Sequence, residues 1–484
     1  MKKWFIKFTA ILISLLSATA AITIIIDPFF HYHKPLEGTF VYYNREPYQN
    51  PGILQHFDYD TVMLGSSMSE NFKTSLFREY LGENVVKTSH QAAGTYNLWQ
   101  YATIALEANQ KLDKIYWGID TWAAEYNPSY SFDPVPEYLV DNNPFNDGKY
   151  LWNRDVFEAY NSVILTMTIK GVSNADNMDA TWNWSSARFF SQQEALKTKT
   201  EVNASSQYSF DERQEHYEEN FEGYILSLVR DNPNVKFVFW YPPYSIRFWK
   251  ETSDNGLLEE RLERCKKMTG KLLQYENVEI YGFQSVESII TNLYLYTDVV
   301  HYAQSVNDYM TECFATGEHR LTLDNYEREI DKIKEIVDTF DYNQYDNEFM
   351  HCDDLQSYIN LCNSGEYTLY VTSKNDQALN EAVVDTMAGV GYRMDVTDGA
   401  ASYGIIEDGI VIQQEFDKES IQTSFRYNQQ EVVIDMSQVH CIAIDGVNYG
   451  YAIDGMNLVV WDKNRRCVLD SINVNLSSGE ITHY

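Results

Sequence analysis

Short apolar runs alternate with helix-like segments between residues 58 and 281, and this alternation limits the fold more than any other feature. Four runs have the length and composition of buried strands, at 61–64, 114–119, 235–240 and 278–281. Helical patterns occupy 71–80, 96–109 and 257–273, and a charged amphipathic helix at 323–340 would close the domain. Strands and helices in this alternation predict an α/β domain with three layers, in which helices cover both faces of a parallel sheet.

The alternation lapses in two places and then ends. Residues 28–58 are rich in Pro and Tyr and are predicted to be an irregular lead-in, and residues 122–211 form an aromatic, Asn- and Asp-rich stretch. We expect this stretch to be an insertion over the end of the sheet where α/β folds carry their sites. The polar segment 341–350 is predicted to be a linker between residues 28–340 and residues 351–484.

Residues 351–484 have a different pattern of predicted secondary structure from the domain before them. Helical patterns at 353–361 and 375–388 flank a strand at 366–372, and short strands separated by Gly and Asp follow to the end of the chain. A chain of 484 residues exceeds one hydrophobic core, so a second domain is expected on length alone. We predict a compact, smaller α+β domain that is mostly β.

The amino terminus predicts a membrane anchor over residues 1–27. Lys2, Lys3 and Lys7 precede an uncharged run from Phe8 to Ile26, which is just long enough to span a hydrocarbon core of about 30 Å. The lysines should stay in the cytoplasm, so a single-pass protein would have the bulk of its chain outside the cell membrane. Residues 18–20 offer a signal-peptidase pattern, but the apolar run continues past it. An uncleaved anchor is therefore favoured over a cleaved signal or a buried core helix.

Charge and cysteine usage exclude some partners and cofactors. The formal net charge of −33 would repel phosphate backbones, so nucleic acid is not expected as a partner. The six cysteines contain no C-x-x-C pair, and the histidines show no metal-ligand spacing with carboxylates. We therefore expect no metal and no cofactor. Four of the cysteines lie in the last third of the chain, where two disulfides or buried free thiols are equally open.

The first candidate for chemistry is the run Gly65-Ser66-Ser67-Met68, which directly follows the first strand and precedes a helix. A serine there lies at the carboxyl end of a sheet strand, where open α/β sheets build their sites. The amides at the start of the next helix favour developing negative charge. The alternative is a plain strand-to-helix turn in which a serine caps the helix.

The second candidate is the run from Asp298 to His301, near the end of the same domain. His301 is the one histidine of the chain with an aspartate three residues before it. That spacing lets the carboxylate accept the imidazole Nδ1–H, which leaves Nε2 as a general base. Such a spacing arises easily by chance in an Asp-rich chain, so its position at the end of the domain is what favours a catalytic role.

Order and position together resemble the SGNH hydrolases, also called the GDSL family. Their nucleophile is the serine that ends a Gly-Asp-Ser motif after the first strand, which corresponds to Ser67, and their Asp-x-x-His motif corresponds to Asp298 and His301. The resemblance implies a three-layer, flavodoxin-like domain with a Ser-His-Asp triad. It also implies an oxyanion hole made by the amides of Ser67 and Gly94. The family's third contributor is an asparagine, whereas this chain has Asp120, whose ionised carboxylate would repel an oxyanion.

The Gly-Ser-Ser motif, the single anchor and the run Tyr241-Pro242-Pro243-Tyr244-Ser245 resemble the surface-polymer branch of that family. This resemblance implies an O-acyltransferase or esterase acting on a cell-surface glycan or other envelope polymer, with a membrane-bound O-acyltransferase as partner. The competing hypothesis is a catalytically degenerate glycan-binding or scaffold protein. Trp182 and Trp184 of the insertion are either core residues or a stacking platform for sugar rings above Ser67.

The final domain carries its own resemblance. Residues 455–462 with 467–471, and the upstream residues 361–368, are similar to segments of interleukin-like EMT inducer domains. The match covers about residues 351–484. It implies a glycan-binding or structural accessory, with a plain spacer domain as the alternative.

Overall fold

The computed structural model describes residues 2–131, 133–141, 143–174, 177–188, 190–197, 207–342, 345, 352–374, 379–394, 400–417, 420–437, 440–450 and 455–483. Its described residues form a mixed α/β structure with one sheet that is largely parallel and two that are antiparallel. Most of the predicted linker at 341–350 lies outside the described residues.

The first sheet contains six strands in the order β2-β1-β3-β4-β5-β6. β1 to β5 are parallel, and β6 pairs antiparallel with β5 at the edge. Every residue of β1 is buried, as is nearly every residue of β3 and β4, because a parallel sheet is covered on both faces. The strands are β1 (Thr61–Leu64), β2 (Val85–Lys87), β3 (Lys114–Gly118), β4 (Lys236–Tyr241), β5 (Val278–Gly282) and β6 (Arg320–Leu321).

Helices separate these strands along the chain. The first fourteen helices are α1 (Lys2–Ile26), α2 (Glu46–His56), α3 (Thr74–Leu81), α4 (Thr95–Ala108), α5 (Gly148–Leu151), α6 (Ser162–Ile169), α7 (Gln192–Lys197), α8 (Phe210–Glu218), α9 (Ser227–Asp231), α10 (Ile246–Asp254), α11 (Leu258–Leu272), α12 (Glu287–Ile290), α13 (Gln304–Thr316) and α14 (Tyr326–Thr339). The predicted insertion at 122–211 contains only short helical pieces and, among its described residues, no strand.

The carboxyl-terminal part holds the two antiparallel sheets, in the orders β10-β11-β12-β13 and β16-β15-β14-β7-β8-β9. Its elements are α15 (Leu355–Leu361), β7 (Tyr367–Lys374), α16 (Glu381–Gly389), β8 (Ala401–Glu407), β9 (Ile410–Asp417), β10 (Gln422–Tyr427), β11 (Gln430–Asp435), β12 (Cys441–Ile444), β13 (Val447–Asn448), β14 (Gly455–Asp462), β15 (Cys467–Val474) and β16 (Ile481–His483). All six cysteines of the chain are free thiols, so the disulfide alternative is not realised in this structure.

Polar and apolar contacts join the two parts. Lys73 of the first part lies 3.2 Å from Glu431 of the second, and Arg426 pairs with Glu79. Phe190 and Ala303 are buried together with side chains of the antiparallel sheets. The second part therefore packs against the side of the first that carries α3, α13 and the insertion.

The apolar helix α1 spans Lys2–Ile26, and by length and composition it is a candidate membrane span or signal sequence. Its carboxyl-terminal end is built into the rest of the molecule. Asp27, which is 1% exposed, accepts hydrogen bonds from the backbone amides of residues 31–33 and from the Tyr150 hydroxyl. Thr23 is also fully buried.

The prediction of an irregular lead-in over 28–58 is wrong for Glu46–His56, which forms α2. Pro47 lies in the first turn, where a proline lacks no hydrogen bond that the helix would otherwise make. Pro51 removes one internal bond, but seven residues of this helix are buried, so tertiary packing outweighs that loss.

Candidate active site

Ser67 lies on a tight turn directly after β1. Gly65 is required there, because a Cβ at that position would come within 2.8 Å of the Ser69 side chain. Ser69 Oγ donates to the Ser66 carbonyl at 2.8 Å and can then accept from Ser89 Oγ at 2.7 Å, which ties the turn to the segment after β2. The Asn307 amide of α13 holds the Met68 carbonyl at 3.0 Å. The turn is therefore fixed from two sides, and it presents Ser67 at the carboxyl end of the parallel sheet.

His301 and Asp298 lie on the loop before α13, beside that turn. Asp298 Oδ2 lies 2.7 Å from His301 Nδ1, while its Oδ1 accepts the backbone amides of Val300 at 2.9 Å and His301 at 2.8 Å. Burial opposes ionisation of Asp298, but the hydrogen bonds from His301 and these amides outweigh it and hold the pKa of the carboxyl below its ordinary value. The carboxylate therefore fixes both the ring and the loop that carries it.

The three predicted triad residues are brought together. Ser67 Oγ lies 2.8 Å from His301 Nε2, so the hydroxyl, the imidazole and the Asp298 carboxylate form one continuous hydrogen-bonded chain. Ser67 is 9% exposed, and the His301 side chain is 30% exposed. In this arrangement His301 Nε2 can accept the proton of the Ser67 hydroxyl, while Asp298 sets the orientation and tautomer of the imidazole.

Asp120, which follows β3, points into the same end of the sheet. Its Oδ1 accepts a hydrogen bond from the Tyr244 hydroxyl, and Tyr244 in turn accepts one from Trp122 Nε1 at 3.0 Å. Burial raises the pKa of Asp120 to about 6, against hydrogen bonds from Tyr244 and Ser66 that lower it. The carboxyl therefore changes charge around pH 6, where an asparagine would not.

Gly94 lies at the start of α4, and its amide donates to the Asn97 side chain at 3.2 Å. A Cβ at Gly94 would come within 2.6 Å of the Tyr130 carbonyl, so close approach of the insertion explains the glycine. The predicted oxyanion amide is thus already hydrogen-bonded within its own helix. The Ser67 amide, by contrast, donates to no protein acceptor in the described part of the chain.

The two predicted tryptophans have different surroundings. Trp184 packs edge-on against the His301 ring at 5.4 Å between centroids, and its Nε1 donates to the Ser67 carbonyl at 3.2 Å. Trp182 instead packs against Tyr43 at 5.7 Å. Of the two tryptophans only Trp184 contacts the triad, and its ring lines one side of the site.

Several residues around the site were missed by sequence reasoning. Glu70, three residues after Ser67, is 4% exposed, and burial together with neighbouring Glu46 raises its pKa well above the ordinary value. Buried Lys87 donates from Nζ to the Glu70 carbonyl at 2.8 Å, and burial lowers its pKa to about 7. A charged residue inside an apolar strand, as in Val85–Lys87, was the available signal for Lys87.

A cavity of about 1850 Å³ lies between the two parts of the molecule, lined among others by Lys73, Asp308, Glu431 and Trp461. None of the three triad residues lines it. Among the described residues, one group brings metal-ligating atoms within 4.8 Å of one another, at Cys313, Glu318 and His319. His319 Nε2 is already paired with the Tyr309 hydroxyl at 2.7 Å, and the triad uses none of this group.

Comparison with known proteins leaves the family open. No family model matches the chain, and no curated protein matches it. A solved structure described as a candidate platelet activating factor from Streptococcus pneumonia aligns with 12% identity and a TM-score of 0.29, over 56% of this chain and 90% of that one. A likeness at that TM-score carries no argument about this chain.

Proposed function

We propose that this protein is a membrane-anchored, extracytoplasmic SGNH-type O-acyltransferase or esterase that acts on a cell-surface polysaccharide. The observation that carries the proposal is the continuous chain from Ser67 Oγ through His301 to Asp298, with separations of 2.8 and 2.7 Å. Residues more than two hundred positions apart meet in the geometry that activates a serine.

The topology around the triad supports the family. The strand order β2-β1-β3-β4-β5 is that of flavodoxin-like sheets, whose ligands bind at the carboxyl ends of the strands. Ser67 follows β1, which lies at the point where the strand order reverses. The apolar helix α1 and its buried junction at Asp27 support an anchor that remains part of the mature protein.

In the proposed reaction, Ser67 Oγ attacks the carbonyl carbon of an acyl ester while His301 Nε2 takes the hydroxyl proton. The tetrahedral intermediate collapses, the C–O bond to the leaving alcohol breaks, and His301 returns the proton to that alcohol. A glycan hydroxyl then attacks the acyl-enzyme while His301 Nε2 takes its proton. The bond between the acyl carbon and Ser67 Oγ breaks, His301 returns the proton to Ser67 Oγ, and the ester of the polymer is released. Water in place of the glycan hydroxyl gives hydrolysis. Asp298 stabilises the imidazolium in both halves.

The oxyanion would be stabilised by the Ser67 amide, with Asp120 contributing only in its protonated form. Near pH 6 the Asp120 carboxyl is partly protonated, so it can donate a hydrogen bond as the family's asparagine does. Above that pH its negative charge opposes the developing oxyanion. This is the feature that distinguishes the site from that of an efficient hydrolase.

A second candidate function, a glycan-binding or scaffold protein, is favoured by two departures from the oxyanion hole of the SGNH family. Asp120 replaces a neutral donor, and the Gly94 amide is held by Asn97. In that case the triad would be a remnant, and the carboxyl-terminal part would carry the interaction.

The deciding experiment is to treat the full-length protein in detergent with a fluorophosphonate probe and to locate the adduct by mass spectrometry. We expect labelling at Ser67 that is abolished in Ser67→Ala and His301→Ala, because both the nucleophile and its base are required. His319→Ala is the matched control, since His319 is also partly exposed and hydrogen-bonded but lies outside the triad.

An unlabelled wild-type protein with an intact thermal unfolding transition would reject the enzyme hypothesis in favour of the binding one. If labelling is found, cells that carry Ser67→Ala should lose acyl groups from a surface polymer. Unchanged acylation in those cells would reject the polymer as the substrate while leaving the activated serine established.

A further inference from the structure

The insertion contains a second apolar helical segment, from Val156 to Ile169. It begins with one π-helical stretch, Val156–Asn161, and continues as α6. Between Glu158 and Lys170 no residue carries a charge. An uncharged segment of this length is too short to span a bilayer, so it is either a buried core helix or an element that lies in a membrane interface.

Its burial pattern excludes a core helix. Val156, Tyr160 and Ile164, four residues apart, are buried and form the inward stripe. The outward positions are apolar but exposed: Leu165 is 51% exposed and Ile169 is 76% exposed. Phe145, Trp152 and Phe157 of the same stretch are also exposed. Large exposed apolar side chains at this density along one segment are typical of a surface that contacts a membrane or another molecule.

The segment is held against α1 at a defined height. Asn161 Nδ2 donates to Thr23 Oγ1 at 3.0 Å, and Trp152 Nε1 donates to the Leu16 carbonyl at 2.9 Å. At 1.5 Å per residue, Thr23 lies about 5 Å and Leu16 about 15 Å below the outer end of α1 at Ile26. Elements that lie in a membrane surface bury their apolar face about 5–10 Å into the boundary between headgroups and acyl chains. The contact at Thr23 lies close to that range, whereas Trp152 reaches deeper among the acyl chains of the outer half of the bilayer.

The charges at the two ends of the segment fit that position. Arg154 pairs with Glu158 at 2.9 Å, and both side chains are largely exposed. Lys170 closes the other end. Long basic side chains reach back to the headgroups while their stems lie among acyl chains.

We infer that residues 145–170 form a second, monotopic membrane element that lies in the outer leaflet beside α1, with Trp152, Phe157, Leu165 and Ile169 among the acyl chains. The occupant of this surface is lipid, because its contacts with Thr23 and Leu16 make it continuous with the outer half of α1. The inference rests on the membrane anchor of the proposed function and adds to it a second contact that fixes the orientation of the site above the membrane.

The test uses the full-length chain as the only membrane protein in lipid nanodiscs. Leu165→Cys and Ile169→Cys are labelled with an environment-sensitive fluorophore, and quenching is measured with lipids that carry a nitroxide high on the acyl chain. Ile410→Cys is the matched control, an isoleucine of β9 that is 58% exposed on the second part of the molecule. Leu12→Cys reports the anchor itself, and the unsubstituted protein gives the background from native thiols.

We expect quenching at residues 165 and 169 to exceed that at 410 several-fold. If residues 165 and 169 are quenched no more than 410 while residue 12 is quenched, the lipid inference is wrong and the surface belongs to a protein partner, with the anchor unaffected. If residue 12 also escapes quenching, the anchor is wrong, and the membrane localisation proposed for the protein fails with it.

Discussion

Both parts of the molecule bury polar side chains, but they do so in different places. In the parallel sheet, Ser67 and Asp120 follow β1 and β3 at the carboxyl ends of the strands. In the antiparallel sheet, Thr372, Asn457 and Asn473 lie within β7, β14 and β15. There the Asn473 amide donates to Asn457 at 3.0 Å, and the Asn457 amide donates to Thr372 at 3.4 Å.

The difference lies in whether the buried polar side chains satisfy one another or meet at one edge of a sheet. The side chains of the antiparallel sheet hydrogen-bond to one another across neighbouring strands, which satisfies them without leaving an atom for a ligand. Parallel strands bring all their carboxyl ends to one edge, so Ser67, Asp120 and the loop of His301 converge there. Burial of polar groups alone would not have distinguished the two regions.

The largest effect that sharpens this comparison is expected at Arg261. Its guanidinium, 1% exposed, makes two hydrogen bonds to Glu125 at 2.9 and 2.7 Å behind the site. Arg261→Ala removes the bidentate partner of a buried carboxylate, while Arg264 Nη1 stays 3.3 Å from Glu125. The free energy of unfolding should therefore fall by about 3 kcal/mol, the lower end for a broken buried pair. Arg426→Ala, which removes the exposed pair with Glu79 between the two parts, should cost about 1 kcal/mol or less.

Urea denaturation of the full chain measures both variants. Equal losses would contradict the view that the first part is held together around a buried ion pair while exposed pairs at its junction with the second contribute little.

The next effect concerns Asp120 and the pH dependence of labelling. Its raised pKa of about 6 means that the wild-type carboxyl is neutral well below pH 6 and charged well above it. Asp120→Asn stays neutral throughout, so the ratio of its labelling rate to that of the wild type should rise with pH. Above neutrality the ratio should reach about 10²-fold, the usual worth of one oxyanion donor.

Tyr244→Phe provides the second arm of that experiment. It removes a hydrogen bond that lowers the pKa of Asp120, so this pKa should rise. The labelling rate of the Tyr244→Phe variant should therefore begin to fall at a higher pH than that of the wild type. A rate ratio for Asp120→Asn that is independent of pH would show that the carboxyl does not face the oxyanion.

The smallest effect is expected at Trp184. Trp184→Phe keeps an aromatic ring beside His301 but loses the hydrogen bond to the Ser67 carbonyl. One such bond contributes about 1 kcal/mol, which corresponds to labelling slowed by about fivefold. Trp182→Phe is the matched control, because among the described residues Trp182 Nε1 has no hydrogen-bond partner to lose. Equal slowing in both variants would attribute the effect to general disturbance of the insertion.

Much of the first part could be predicted because its strands are buried on both faces and therefore appear as continuous apolar runs. The run at 61–64 coincides with β1, and those at 114–119 and 235–240 end within one residue of β3 and β4. The order of Ser67, Asp298 and His301 along the chain matched a family pattern, so their proximity was predicted as well. The catalytic roles themselves stay a prediction.

Contacts between distant segments could not be predicted, since nothing local marks them. Tyr244 bonded to Asp120 and Trp152 bonded to Leu16 both depend on the complete tertiary structure. The helix α2 was missed because its two prolines indicate irregular backbone, while the burial that stabilises it is supplied by other elements.

The junction at Asp27 bears on how far the proposed enzyme can reach. An anchor joined to its domain by a flexible linker would let the active site reach a wide range of distances from the membrane. Here the Asp27 carboxylate accepts hydrogen bonds from three successive backbone amides and a tyrosine hydroxyl, so a hydrogen-bonded junction takes the place of a flexible linker. If α1 spans the membrane, the distance of Ser67 from the bilayer is then fixed by this junction. Only polymer segments that pass close to the bilayer surface would reach the site.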